Sequence, residues 1–160
     1  MVYKTIISID DLKNNLNNDN FLIFDSRCDI KDSGYGIDSY TEGHIPNSIF
    51  VDVDTDLASE KRPGTGRHPL PDPNSFSEKL SHWGMSNNKQ VVVYDDAGGA
   101  FAGRLWWMLK WLGHEAVAVL DGGLNSWVKE GNKLVTTPTV FEKAHFEPCV
   151  QENMIATVED

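Results

Sequence analysis

Residues 91–104 read Val-Val-Val-Tyr-Asp-Asp-Ala-Gly-Gly-Ala-Phe-Ala-Gly-Arg, a stretch that places two carboxylates at a junction suited to anion chemistry. Four β-formers run into a glycine-rich loop, and the loop opens an apolar helix over residues 105–112. A strand that ends at a helix N-terminus gathers unpaired backbone N–H groups at one point, a cradle for an anion or a reactive anionic atom. Asp95 and Asp96 stand in the loop, which holds no cysteine, serine or lysine. The cradle is therefore expected to hold a carboxylate in place of the usual nucleophile.

The flanking elements explain how such a loop would be positioned. A short helix over residues 9–16 has Ser8 as its N-cap. Residues 21–25 and 48–52 read as buried strands, with a polar, glycine-containing loop over 29–43 between them. Residues 54–74 hold most of the prolines and almost no apolar side chains, which predicts an ordered surface excursion. Residues 75–84 are amphipathic and helical, with Phe76, Leu80 and Trp83 on one face. The strand at 91–94 and helix at 105–112 follow, then a strand at 116–120 and a helix at 124–129 ending at Gly131. Strands alternating with helices predict an α/β fold around a largely parallel sheet. Beyond Lys133 the pattern fades into an extended stretch over 134–152, and residues 155–160 read as the start of a new element.

Composition narrows the function classes. A net charge of −10 disfavours nucleic acid and anionic membrane surfaces as partners. No segment approaches transmembrane length and the N-terminus lacks a leader-like apolar region, so a cytoplasmic protein is expected. Cys28 and Cys149 lie far apart without metal-like spacing, the pattern of a reducing compartment, although one disulfide stays open.

Six motifs in register carry a family resemblance. Asp25-Ser26-Arg27 follows the first predicted strand, and Gly43-His44-Ile45-Pro46 precedes the second. Gly66-Arg67-His68-Pro69-Leu70-Pro71 lies in the excursion, and Tyr94-Asp95 ends the central strand. Arg104-Leu105-Trp106-Trp107 opens its helix, and residues 120–127, Leu-Asp-Gly-Gly-Leu-Asn-Ser-Trp, close the set. In this order they resemble a rhodanese domain, more narrowly the N-terminal domain of two-domain thiosulfate and 3-mercaptopyruvate sulfurtransferases. The resemblance covers roughly residues 5–150; one departure is Asn47, where the family usually has glycine.

The resemblance implies a rhodanese-like α/β fold, a five-stranded, mainly parallel sheet with helices on both faces. It implies a rhodanese-like domain of the non-catalytic type over residues 1–133, with residues 134–160 a linker and the opening of a second domain. Catalytic rhodanese domains carry a cysteine directly after the tyrosine-ended strand, and its thiolate takes up sulfur as a persulfide. Asp95 stands there in this chain and cannot form one. Cys28 and Cys149 lie outside the loop and read as structural. The chain is thus expected to be the N-terminal half of a sulfurtransferase, inactive alone. Its partners would be its own C-terminal rhodanese domain and a small anionic sulfur donor, with no cofactor and no metal. Asp54 and His68 match positions that, in the mercaptopyruvate branch, reach the cleft between domains. A carboxylate that fixes a histidine tautomer makes a proton shuttle; the alternative is a turn residue and a loop histidine.

Arg67 and Arg104 are candidates to meet the anionic donor, with an ion pair to Asp95 or Asp96 the more economical role for Arg104. Arg27 is expected to pair with Asp25 or Asp29. The Trp106, Trp107 and Trp111 cluster reads as core and domain interface. Three rivals remain. A dinucleotide site would use Asp121 as the ribose-binding acid, but the glycine spacing differs and two aspartates would repel a pyrophosphate. A phosphoryl-accepting Asp95 would want a metal and a nearby lysine or threonine, which the loop does not supply. A stand-alone inactive rhodanese module that binds an anion or a protein is the third.

Overall fold

The structure, a computed structural model, describes residues 1–156. Five strands, Ile6–Ile7 (β1), Phe21–Asp25 (β2), Ser48–Phe50 (β3), Gln90–Tyr94 (β4) and Val117–Leu120 (β5), form one sheet in the order β1-β5-β4-β2-β3. Every pairing is parallel. The helices are Ile9–Asn14 (α1), Tyr35–Glu42 (α2), Pro73–His82 (α3), Ala102–Trp111 (α4) and Gly123–Lys129 (α5). A rhodanese-like α/β architecture with a five-stranded sheet is what the resemblance implied.

The period-two alternation of the strands sorts the core into two layers. Leu22, Phe24, Val91, Val93 and Val117 face one side, where they pack against Phe76 and Leu80 of α3 and Leu105, Met108 and Leu109 of α4. Ile23, Val92, Tyr94, Ala118 and Leu120 face the other, against Ile9 and Leu12 of α1 and Leu124 and Trp127 of α5. β4 is buried at all five positions because it runs mid-sheet with both faces covered.

Several local expectations needed correction. The stretch 29–43, read as loop, contains α2, which buries only Gly36 and Tyr40 and so leaves no apolar periodicity to detect. α3 begins two residues early at Pro73, because Asp72 caps it by accepting the Ser75 N–H at 2.9 Å. α4 starts at Ala102 rather than 105, drawn forward by the loop before it. Ser8 does cap α1, accepting the Asp11 N–H at 3.1 Å. Asn47, the departure from glycine, has φ 65°, a region asparagine tolerates better than most residues, and its Nδ2 donates to Leu16 O at 2.6 Å.

The loops that carry Asp25-Ser26-Arg27, Asp54 and Asp95 follow the C-terminal ends of β2, β3 and β4; a strap over residues 134–149 covers the opposite end of the sheet. Val135 bridges His44 just before β3. Ala144 N–H then donates to Ser81 O, Phe146 enters the core, and Cys149 N–H donates to Leu112 O. The strap thereby ties α3 and α4 together at their C-terminal ends. Among the described residues no helix is long and apolar enough to cross a membrane.

Candidate functional site

β4 delivers Asp95 to a loop whose Gly98 and Gly99, both at positive φ, turn successive N–H groups inward. Asp95 Oδ1 accepts from Ala97 N at 3.0 Å and Gly99 N at 2.9 Å. Its Oδ2 accepts from Phe101 N and Ala102 N, both at 2.8 Å, the latter two opening α4. One carboxylate, 1% exposed, thus takes four main-chain donors at a helix N-terminus. The Asp95 carbonyl in turn accepts the Leu124 N–H at 2.9 Å. A side chain at Gly123 would place its Cβ 2.4 Å from that oxygen, which explains the Asp-Gly-Gly turn into α5. A pyrophosphate would need the amides that Asp95 already holds, so the dinucleotide reading falls.

Beside the cradle lies a second buried acid. Asp25 ends β2 opposite Tyr94 in the register. Its carboxylate accepts from Arg27 Nη2 at 2.7 Å and from the Tyr94 hydroxyl at 2.7 Å. Arg27 Nη2 also donates to Gly43 O, and the Tyr94 hydroxyl accepts the Ile45 N–H. Burial opposes the Arg27 charge, but the Asp25 hydrogen bond and charge hold its pKa above the ordinary value. Burial and the Asp25 charge push the Tyr94 phenol well up, so it stays a donor. Arg27 pairs with Asp25, one of the two partners the sequence allowed.

At the end of β3 the chain makes a tight turn. Asp52 Oδ1 accepts the Asp54 and Thr55 N–H groups, and the Asp56 carboxylate accepts the Asp52 N–H. This aims Asp54 at His68, whose Nε2 lies 2.5 Å from Asp54 Oδ1, with both side chains partly exposed. His68 Nδ1 makes no hydrogen bond among the described residues. The structure therefore brings together two residues separated by a largely exposed excursion.

Arg67 does not join them by contact; its Nη2 donates to Ile30 O at 2.7 Å. Burial, reinforced by Asp54, Asp52 and Asp29 against the opposing effect of Arg67, raises the Cys28 thiol pKa, which keeps it protonated and weakly nucleophilic.

Arg104 corrects the sequence reading. It pairs with neither Asp95 nor Asp96: its Nε and Nη2 donate to Leu57 O at 3.1 and 2.6 Å, and Nη2 to His68 O at 3.0 Å. Asp95 is already saturated by main-chain donors, and the Tyr35 hydroxyl donates to Asp96, a contact the sequence gave no periodic signal for. Trp111 is core, stacked on the half-buried Trp107 at 6.1 Å, while Trp106 Nε1 donates to Lys4 O and Val117 O. No cluster of metal-ligating side chains occurs among the described residues.

A parallel α/β sheet with an amide-lined loop after a tyrosine-ended central strand defines the class. Residues 8–130 match the family model of the rhodanese-like domain, and the chain belongs to that family. It is 41% identical over 144 residues to a probable 3-mercaptopyruvate sulfurtransferase of Pseudomonas aeruginosa, covering 89% of this chain and 51% of that protein. It is 36% identical to the thiosulfate sulfurtransferase of Bos taurus over 75% of this chain and 40% of that one. A solved 3-mercaptopyruvate sulfurtransferase from Leishmania major superposes with a TM-score of 0.83 at 30% identity, over 92% of this chain and 42% of that one. The chain spans about half the length, or less, of these relatives.

Proposed function

We propose that this chain is the non-catalytic N-terminal half of a two-domain sulfurtransferase, whose sulfur is carried as a persulfide by a cysteine on a C-terminal rhodanese domain. The observation that carries the reading is the Asp95 carboxylate, which holds four backbone amides at the loop after β4. In the resemblance this is the cysteine position, and a carboxylate there has no polarisable sulfur to load. The relatives that the chain half-covers, named as sulfurtransferases, support an enzyme parent. Two free cysteines suit a reducing, cytoplasmic setting.

Asp54 and His68 are this half's contribution to the shared cleft, and the chemistry favours 3-mercaptopyruvate over thiosulfate as the donor they serve. When a thiolate attacks the sulfur of 3-mercaptopyruvate, an S–S bond forms and the C–S bond breaks. Its electron pair moves onto carbon, and the resulting enolate takes a proton to give pyruvate. Cleavage of the S–S bond of thiosulfate releases sulfite and needs no such proton. A histidine oriented by a carboxylate through Nε2, with Nδ1 unengaged, suits delivery of that proton.

In the two-domain parent, His68→Ala should lower turnover with 3-mercaptopyruvate by roughly 10²-fold, the low end for general acid–base catalysis. Turnover with thiosulfate should fall much less. Equal rates for wild type and variant with 3-mercaptopyruvate would remove His68 from the site.

A further inference from the structure

The pair at the end of β3 rests on unequal supports. Asp54 sits in a turn held by Asp52, Asp56 and Lys79, whose Nζ donates to Asp56 Oδ1 at 2.8 Å. His68 returns from an excursion whose residues 60–67 are all exposed. Besides the exposed Arg67, whose Nη2 donates to Ile30 O at 2.7 Å, two contacts outside the pair fasten that return to the domain beside His68. One is the Ser59 N–H donating to Pro69 O at 2.9 Å. The other is the Arg104 guanidinium, which grips His68 O and Leu57 O together. Leu57 is fully buried and lies three residues beyond Asp54, so one side chain ties both segments that carry the pair.

We infer that Arg104 is the positioning residue of the Asp54–His68 pair. It sets where the imidazole stands by holding the His68 carbonyl against the Leu57 carbonyl of the segment that follows Asp54. Arg104 makes no ion pair among the described residues, so no carboxylate competes for its donors. It is placed two residues beyond Ala102, whose N–H closes on Asp95. The helix that the cradle starts is therefore the same helix that holds the histidine. A planar guanidinium can meet two carbonyls from a fixed fork, which a lysine ammonium on a flexible stem cannot reproduce. Burial lowers the Arg104 pKa, consistent with carbonyl dipoles rather than a carboxylate meeting the charge.

The role matters for catalysis only if the sulfurtransferase reading holds, but its test needs no sulfur donor. In wild-type chain a slowly exchanging, downfield imidazole N–H resonance is expected from His68 Nε2–H on Asp54, assigned by its loss in His68→Gln. Arg104→Met should abolish that resonance while the amide signals of residues 97–102 around Asp95 keep their shifts. Arg104→Lys, which retains the charge and the buried stem, should fold and leave the resonance broadened, with faster proton exchange than in wild type. Absence of the resonance from wild type, or its persistence unchanged in either folded variant, would overturn the inference. So would unfolding of both variants, since Arg104 would then hold the domain rather than the pair. Failure of His68→Ala to slow the two-domain enzyme would remove the catalytic reading and leave this result standing.

Discussion

Asp25 and Asp95 stand at the ends of the neighbouring strands β2 and β4, both out of solvent, and their charges are met in opposite ways. Asp25 is held chiefly by side chains, the Arg27 guanidinium and the Tyr94 hydroxyl, with a single main-chain donor, the Arg27 N–H at 3.0 Å. Asp95 is held by main chain alone, through four N–H groups of its own loop and helix. A side-chain network is tied to particular residues and fails when one is removed. A main-chain cradle is a property of the loop's path, so another anionic atom could take the same place. Under the proposed function the first arrangement is scaffold, and the second is a site whose occupant decides its chemistry.

The largest test of the contrast is Asp25→Ala, which leaves the Arg27 guanidinium buried and unpaired. A loss of about 3–5 kcal/mol is expected from denaturant unfolding, as for other broken buried pairs. Asp95→Ala should cost less, about 1–3 kcal/mol, the penalty for unpaired backbone donors partly reachable by water. If Asp95→Ala proves the more damaging of the two, the contrast is wrong. Asp95→Cys, made with Cys28 and Cys149 both changed to serine, should instead gain an activity. Its thiolate, favoured by the four amides, should take one sulfur from thiosulfate with release of sulfite, read as the mass gain of a single sulfur atom. No gain would mean that the cradle does not accept a different anion.

Alkaline pH separates the two acids by another route. The Tyr94 phenol is raised in the folded state, by burial first and then by Asp25. An unfolded tyrosine ionises near pH 10, so above that the unfolded chain binds fewer protons than the folded one. The stability due to this group is therefore present below about pH 10 and lost as the pH rises beyond it. Tyr94→Phe should flatten that alkaline decline in thermal melts, and Asp95→Ala should leave it as steep as in wild type. The smallest effect is expected of Tyr35→Phe, which frees Asp96 of its hydroxyl partner near the surface. A cost of about 0.5–1.5 kcal/mol is expected, with Asp95 unaffected.

The parts legible in sequence were those with a period or a fixed motif. β2, β4 and β5 are continuous apolar runs, and α3 shows its buried face through Phe76 and Leu80. α2 was illegible because its packing uses a glycine and one tyrosine instead of an apolar stripe. β1 is two residues long, too short for alternation to register. At the site, Asp95 could be placed in the cradle from the strand-to-helix junction alone. Arg104 could not, since its nearest carboxylates in sequence were the natural guess and its real partners are carbonyls 36 and 47 positions away. Contacts through backbone oxygens leave no residue-type signature. The Asp54–His68 contact was approached only through the family resemblance, because an irregular excursion gives no rule for where its return will lie.

The claim that Asp95 silences the cradle is tested most directly by assaying the chain itself for thiocyanate formation from thiosulfate or 3-mercaptopyruvate and cyanide. Wild type, and the chain with Cys28 and Cys149 both replaced by serine, should give no transfer above the uncatalysed background. Robust turnover that survives both replacements would contradict the account, because the sulfur would then have an acceptor in this domain that is not a cysteine.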